Sequence, residues 1–391
     1  MTDAIARSGL IDGLTYAALA FTFAVLLVPL GIRLAWRLDV IDRPRGFKIH
    51  RRPTPLMGGV AMAAAFLLTV LVVRPLFDHN QALIGLLVGC VGAAVLGFID
   101  EVFTLKPAIH FLGQVVVVVL AMAAHFPLVE TISRPLDKVT PESVRHGSIY
   151  LSTLLGFGSE NNVLVTTIAG GLFTAFWIVG MMNTVNFLDG LDGLAGGVVA
   201  IAAVFLALWE VIVTRSGFAP TYQDQNVYLP LILAGAILGF LFFNWRGVVF
   251  MGDSGAMFLG FTIGALSIFG PVKLGTALLL LIIPITDVAW AIVRRALGRQ
   301  SFASGDSHHI YHRMLELGLS RRTVVLLFYA LCIVLGVIDL NLVKGAKIAA
   351  FVVVTVLTAA GAVTLEVQGR RHEALRRALN AAPASDSAPG S

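Results

Sequence analysis

Apolar stretches of roughly 16 to 23 residues, each long enough to cross a hydrocarbon core about 30 Å thick, recur along this sequence. They lie near residues 14–36, 56–74, 82–99, 108–125, 164–182, 194–214, 228–243, 256–270, 274–293, 323–342 and 347–366. Inside a bilayer no water is available to backbone N–H and C=O groups, so each stretch must close its own hydrogen bonds as a helix. With 57% hydrophobic and 13% charged residues, the chain of 391 residues is too apolar for a soluble domain. The sequence therefore predicts an all-α polytopic integral membrane protein of about eleven transmembrane helices, with 256–270 as a candidate half of a broken one.

Lys and Arg concentrate in cytoplasmic loops. If the N-terminus lies outside, the inside segments hold Arg33, Arg37, Arg43, Arg45, Lys48, Arg51, Arg52, Lys106, Arg246, Arg294, Arg295, Arg299, Arg313, Arg321, Arg322, Arg370, Arg371, Arg376 and Arg377, and an odd number of spans leaves the C-terminus in the cytoplasm. This gives an extracytoplasmic N-terminus over 1–13, a membrane-embedded domain over 14–367, and a tail over 368–391 that is first basic and then too poor in apolar residues to bury a core. The opening residues do not read as a cleavable signal peptide. The segment 126–163, with Pro127, Pro135 and Pro141, reads as an irregular external excursion. Cys90 and Cys332 fall inside spans and read as small core residues rather than a disulfide or metal framework.

Against this background the polar residues stand out. Asn183 to Gly197 places Asn183, Asn186, Asp189 and Asp192 at three-residue steps, with Gly190 and Gly193 each directly after an aspartate, where one apolar helix ends and another begins. Three-residue steps line amides and carboxylates along one side, and the glycines let backbone N–H groups approach a ligand. Ionisable groups at membrane depth cost about 3 kcal/mol or more and mark functional sites. One aspartate could be spent on capping the helix that starts near Leu194, but not the whole set.

Four more clusters fall on the same predicted side. Residues 41–59 form a basic loop, with Lys48 and His50, running into Gly58 and Gly59, and such a loop suits a phosphorylated ligand. Asp100 and Glu101 end the third span, with His110 and Gln114 four apart on the next helix; paired acids there can hold Mg²⁺ or take a proton. Residues 244–255 carry Phe250, readable as lipid-facing packing or as a stacking platform for a base, and Asp253 between Gly252 and Gly255. His309, His312 and Arg313 follow a span containing Asp287. They suit phosphate oxygens or zinc, and the absence of a nearby cysteine together with the surrounding acids favours a hard cation.

In this order, Asp42-Arg43-Pro44, Lys48-Ile49-His50, Pro53 to Gly59, the acid pair at 100–101, Asn186 to Ala195, Phe250 to Gly255 and the histidines near 309 resemble the polyprenyl-phosphate N-acetylhexosamine-1-phosphate transferases, over about residues 14 to 367. The resemblance implies transfer of a sugar 1-phosphate from a cytoplasmic UDP-N-acetylhexosamine to a polyprenyl phosphate at the cell's inner membrane, with Mg²⁺ or Mn²⁺ as cofactor and UMP released. It implies catalytic roles for Asp100, Glu101, Asp189, Asp192 and Asp253, with Asp253 and Asp189 at the metal. It implies substrate contacts for Lys48, His50, Asn183, Asn186, Phe250, His309, His312 and Arg313. The partners it implies are the two substrates and the bilayer, with a homodimer compatible and no nucleic acid.

Three positions depart from the family pattern: Glu101 for an aspartate, His110 for a Lys or Arg, and Tyr311 for a histidine. Pro53 stands where muramoyl-pentapeptide-using members carry Lys, which places the chain nearer the branch that uses UDP-N-acetylglucosamine, with another N-acetylated UDP-sugar as the alternative. A flippase or transporter of lipid-linked sugars would share the many spans and the basic side. Transporters, however, set their polar sites near the midplane and often carry inverted repeats, whereas the polar clusters here fall on one side and no repeat is evident. A CDP-alcohol phosphotransferase would carry an Asp-Gly-x-x-Ala-Arg run, which is absent.

Overall fold

The computed structural model describes residues 2–44, 53–73, 81–124, 163–215, 225–269, 273–297, 309–342, 346–347, 349–361 and 363–364. Lys48 and His50 lie outside the described residues. Helix α1 is Thr2–Leu38, followed by the short strands β1 (Ile41–Asp42) and β2 (Thr54–Pro55), then α2 (Gly58–Val73), α3 (Gln81–Phe103), α4 (Pro107–Ala123), α5 (Val163–Leu188), α6 (Leu194–Arg215) and α7 (Gln225–Asn244). Next come α8 (Gly252–Ile268), α9 (Lys273–Leu280), α10 (Ile282–Leu297), α11 (Ile310–Glu316) and α12 (Arg321–Asn341).

Among the described residues, six helices are long and apolar enough to cross a membrane, or seven if the bent pair α9 and α10 is one span. Shorter apolar helices cover Gly58–Val73, Pro107–Ala123 and Ala349–Gly361. The break falls at Leu281, not in the 256–270 stretch, and bends the pair by 69°. Pro284 explains it. A proline cannot donate to the carbonyl four residues back and its ring crowds that carbonyl, so Leu280 O is released and is met instead by the Cys332 thiol at 3.6 Å.

Helix α8 is the axis of the bundle and is buried along nearly its whole length. Lipid tails are as apolar as leucine, so helices in a bilayer associate through close packing and hydrogen bonds rather than through the hydrophobic effect. Small residues make that packing possible here. A Cβ on Gly97 of α3 would strike the Asp253 carbonyl, one on Gly59 of α2 would strike Gly255, and one on Gly260 would strike the Met182 backbone of α5. Trp177 Nε1 donates to Gly264 O at 3.1 Å and Ser267 Oγ at 2.9 Å, tying α5 to α8. Cys90 and Cys332 are buried and free, as expected of core residues.

A second polar cluster, which the sequence does not reveal, lies where α6 and α12 end and α7 and α9 begin. Lys273 is fully buried, 3.2 Å from Glu210 Oε2, and donates to Asn226 O at 3.0 Å. Pro230 leaves that carbonyl without its helical donor. Asp339 accepts from Thr276 Oγ1 at 2.7 Å and pairs with Lys347 at 2.8 Å, whose ammonium sits 3.4 Å from the centre of the Trp209 ring. These charges sit singly on separate helices, so no local motif announces them.

Candidate active site

At the other ends of these helices a cleft of about 890 Å³ opens, lined by Asp100 and Glu101 from α3, Asn186 from α5, Asp189 and Asp192 from the turn before α6, and Phe250 and Asp253 at the start of α8. Asp42, Arg43, Thr104, Asn244, His312 and Arg321 complete its polar wall.

The backbone around Phe250 and Asp253 is fixed from two sides. Ile41 pairs with Pro55 and Asp42 with Thr54 in an antiparallel ribbon. Pro55 O then accepts Phe250 N at 2.9 Å, while Gly58 N and Gly59 N donate to Phe250 O and Met251 O at 3.2 and 3.0 Å. From α3, Glu101 Oε1 accepts both Ser254 N at 2.9 Å and Ser254 Oγ at 3.0 Å, satisfying one of the N–H donors that a helix start leaves open. Gly252, at φ +70°, makes the turn into α8, and a Cβ there would run into that same Glu101 oxygen. Asn186 Nδ2 donates to Asp253 Oδ1 at 2.8 Å, joining α5 to α8 across the cleft.

Asp100 is held by Leu105 N at 2.7 Å and faces His110 Nδ1 at 3.4 Å. Gln114 turns elsewhere and forms an amide pair with Asn183, whose Nδ2 donates to Gln114 Oε1 at 2.7 Å. The carboxyl of Asp189 is held well above the usual carboxylate range, first by burial and then by the neighbouring Asp253, Asp192 and Glu101. Several acids facing one cleft repel each other, and such a set favours a ligand that brings positive charge.

All five acids singled out in the sequence thus line one cleft, together with Asn186, Phe250 and His312. Asn183, His309 and Arg313 are not in its wall. His309 is buried, with Nδ1 2.9 Å from Asp287 Oδ2, and its ring neighbours Phe187 and Tyr311. Arg313 Nη1 donates to Glu316 at 2.8 Å. Arg321 and Asn244 carry little site signal in the sequence: Arg321 reads as any charge on a basic membrane face, and Asn244 opens a motif in which the aspartate is the conspicuous group. Arg43, also on the wall, makes an exposed pair with Asp39.

Residues 83–270, from α3 to α8, match the model of glycosyl transferase family 4. The chain is 30% identical over 312 residues to the "Probable undecaprenyl-phosphate N-acetylglucosaminyl 1-phosphate transferase" of Bacillus subtilis, covering 78% of each chain. It is 32% identical over 341 residues to the decaprenyl-phosphate N-acetylglucosaminephosphotransferase of Mycobacterium leprae, covering 81% of this chain and 79% of the relative. It is also 32% identical over 344 residues to the phospho-N-acetylmuramoyl-pentapeptide-transferase of Mycolicibacterium gilvum, covering 80% of this chain and 92% of the relative. Similarity of this extent spans most of the chain, and the chain belongs to glycosyl transferase family 4.

Proposed function

We propose that the protein transfers N-acetylglucosamine 1-phosphate from UDP-N-acetylglucosamine to a membrane polyprenyl phosphate and releases UMP, as an early membrane step of envelope polysaccharide assembly. The observation that carries this reading is the convergence of Asp100, Glu101, Asp189, Asp192 and Asp253 with Phe250, His312, Arg43 and Arg321 in one cleft at the ends of apolar helices. A diphosphate needs cationic neighbours, a base needs an aromatic face, and a lipid phosphate must reach the site from the bilayer. The names of the relatives from Bacillus subtilis and Mycobacterium leprae support the same reaction. The basic loop and the positive-inside rule support a cytoplasmic cleft in the inner membrane, with the N-terminus outside.

The residues fit a divalent metal. Glu101 Oε2 is buried without a hydrogen-bond partner, and the acids offer oxygen donors only. Among the described residues no three His, Cys, Asp or Glu side chains form a ready cage. Mg²⁺ needs only one or two carboxylates and completes its shell with water and substrate phosphates. Asp253 and Asp189 would hold it, and when bound it would offset the charge on the diphosphate.

The protein's own groups have the remaining tasks. Asn186 fixes the Asp253 carboxylate, and Glu101 fixes the helix start that carries it. Phe250 offers the uracil a ring, while His312 and Arg321 face phosphate or sugar oxygens. A lipid phosphate oxygen attacks the β-phosphorus, and catalysis is mostly positioning and charge neutralisation. A phosphate monoester has its second pKa near 6, so Asp100 has little proton to remove and can act by orienting the acceptor.

Purified protein given UDP-N-acetylglucosamine, polyprenyl phosphate and Mg²⁺ should release UMP and form a lipid carrying both sugar and β-phosphorus, and chelation should stop it. Release of UDP would overturn attack at phosphorus. Turnover with UDP-N-acetylmuramoyl-pentapeptide but not with UDP-N-acetylglucosamine would reassign the sugar.

A further inference from the structure

The turn that carries Asp189 and Asp192 is gripped by side chains from elements distant in sequence. Gly193 ends the turn at φ +86°, and its N–H donates to Asn244 Oδ1 at 2.7 Å. Asn244 is buried at the end of α7, and its Nδ2 donates to Val249 O at 2.9 Å, so one amide side chain ties the aspartate turn to the segment leading to Phe250. On the other side of Gly193, the Tyr329 hydroxyl of α12 donates to its carbonyl at 2.5 Å. That carbonyl already accepts Gly197 N at 2.9 Å as the first hydrogen bond of α6. The Tyr329 ring fills the space where a Cβ on Gly197 would sit and lies 6.4 Å from the Trp245 ring, which in turn packs on Gly193. At the turn's opposite end, the Tyr311 hydroxyl occupies the position of a Cβ on Gly190.

We infer that Tyr329 is a positioning residue for the reaction proposed above. Its hydroxyl, together with Asn244, fixes Gly193 and through it the placement of Asp189 and Asp192 against the UDP-sugar. Tyr329 is not part of the cleft wall, so it acts through the turn and not on substrate. The geometry is selective. In the reading proposed above, Asp189 on this turn belongs with the metal and the diphosphate, whereas Asp100 orients the lipid acceptor and is held by Leu105 N of its own chain segment rather than by α12. Loosening the turn should therefore weaken use of the UDP-sugar and spare the lipid phosphate.

Tyr329→Phe isolates the hydroxyl, because it keeps the ring between Gly193, Gly197 and Trp245. With purified full-length protein in detergent, the variant should show a roughly five- to tenfold higher KM for UDP-N-acetylglucosamine, a KM for polyprenyl phosphate within about twofold of wild type, and an unchanged melting temperature. A purely structural role would lower the melting temperature and the active fraction while leaving both KM values alone, and that result would overturn the inference. So would equal changes in both KM values, or no change at all. Amide hydrogen exchange over residues 186–197 tests the same clamp without relying on turnover. Faster exchange in Tyr329→Phe than in wild type supports the clamp, and identical exchange sinks it even if wild type proves inactive toward every UDP-sugar, which would refute the proposed reaction alone.

Discussion

At the residue scale, the proposed active site rests on the difference between a carboxylate oxygen with a structural partner and one without. Glu101 spends Oε1 on Ser254 and leaves Oε2 buried and unpartnered. Its extra methylene relative to aspartate is what lets a residue on α3 reach over the start of α8. Asp253 accepts from Asn186 and sits in the first turn of α8, where the helix dipole favours negative charge. Asp253→Asn keeps the shape of the side chain and removes one anionic donor. Turnover should fall by several orders of magnitude, while the protein stays folded and inserted by size-exclusion profile and melting temperature. A near-normal rate at saturating Mg²⁺ would remove Asp253 from the catalytic set. The histidine cluster divides in the same way. His312 lines the cleft, whereas His309 is buried against Asp287, whose Oδ1 also accepts Ile310 N at 3.1 Å and so fixes the start of α11.

At the element scale, prolines and single buried charges work together. Pro230 and Pro284 each release a carbonyl inside the bundle, and each carbonyl finds a donor on another helix, Lys273 for Asn226 O and Cys332 for Leu280 O. Removing one member of a buried ion pair leaves an uncompensated charge and costs about 3–5 kcal/mol, whereas replacing both by apolar groups is often close to neutral. Lys273→Met should therefore unfold at a clearly lower temperature than wild type in detergent. Lys273→Met combined with Glu210→Leu should recover most of the loss, short of what the bare Asn226 carbonyl still costs. A single variant as stable as the double one would show that the Glu210–Lys273 pair carries no net weight.

At the scale of the whole molecule, the two ends of the bundle differ in kind. One end opens as a cleft lined with acids and flanked by Arg43 and Arg321, and the other closes its charges into pairs. The proposed topology follows from that asymmetry and the positive-inside rule. Lys106 and Arg215 are both exposed and sit at opposite ends of the bundle, in the turn after α3 and at the end of α6. A cysteine at Lys106 should react with an impermeant thiol reagent only from the cytoplasm, and one at Arg215 only from outside. The two native cysteines are buried and give little background. Labelling of both positions from one side would overturn the orientation.

What the sequence determined by itself was local in origin. Long apolar runs dictate helices because a bilayer leaves the backbone no other partner, and the described residues are mostly helical, but six of the helices, or seven with the pair bent at Leu281, rather than eleven, are long and apolar enough to cross. Asp189, Asp192 and Asp253 were legible because ionisable residues flanked by glycine have little packing purpose at the end of an apolar helix. Tertiary structure alone decided which polar residues share the cleft and which serve the scaffold. Asn183 and Asn186 sit three apart on one helix face, yet one pairs with Gln114 while the other reaches Asp253. Asn244, Tyr329 and the pairs around Lys273 leave no mark in the sequence for the same reason. Their meaning lies in contacts between residues up to 136 positions apart, and no pattern of neighbours along the chain encodes where a second helix will place its donor.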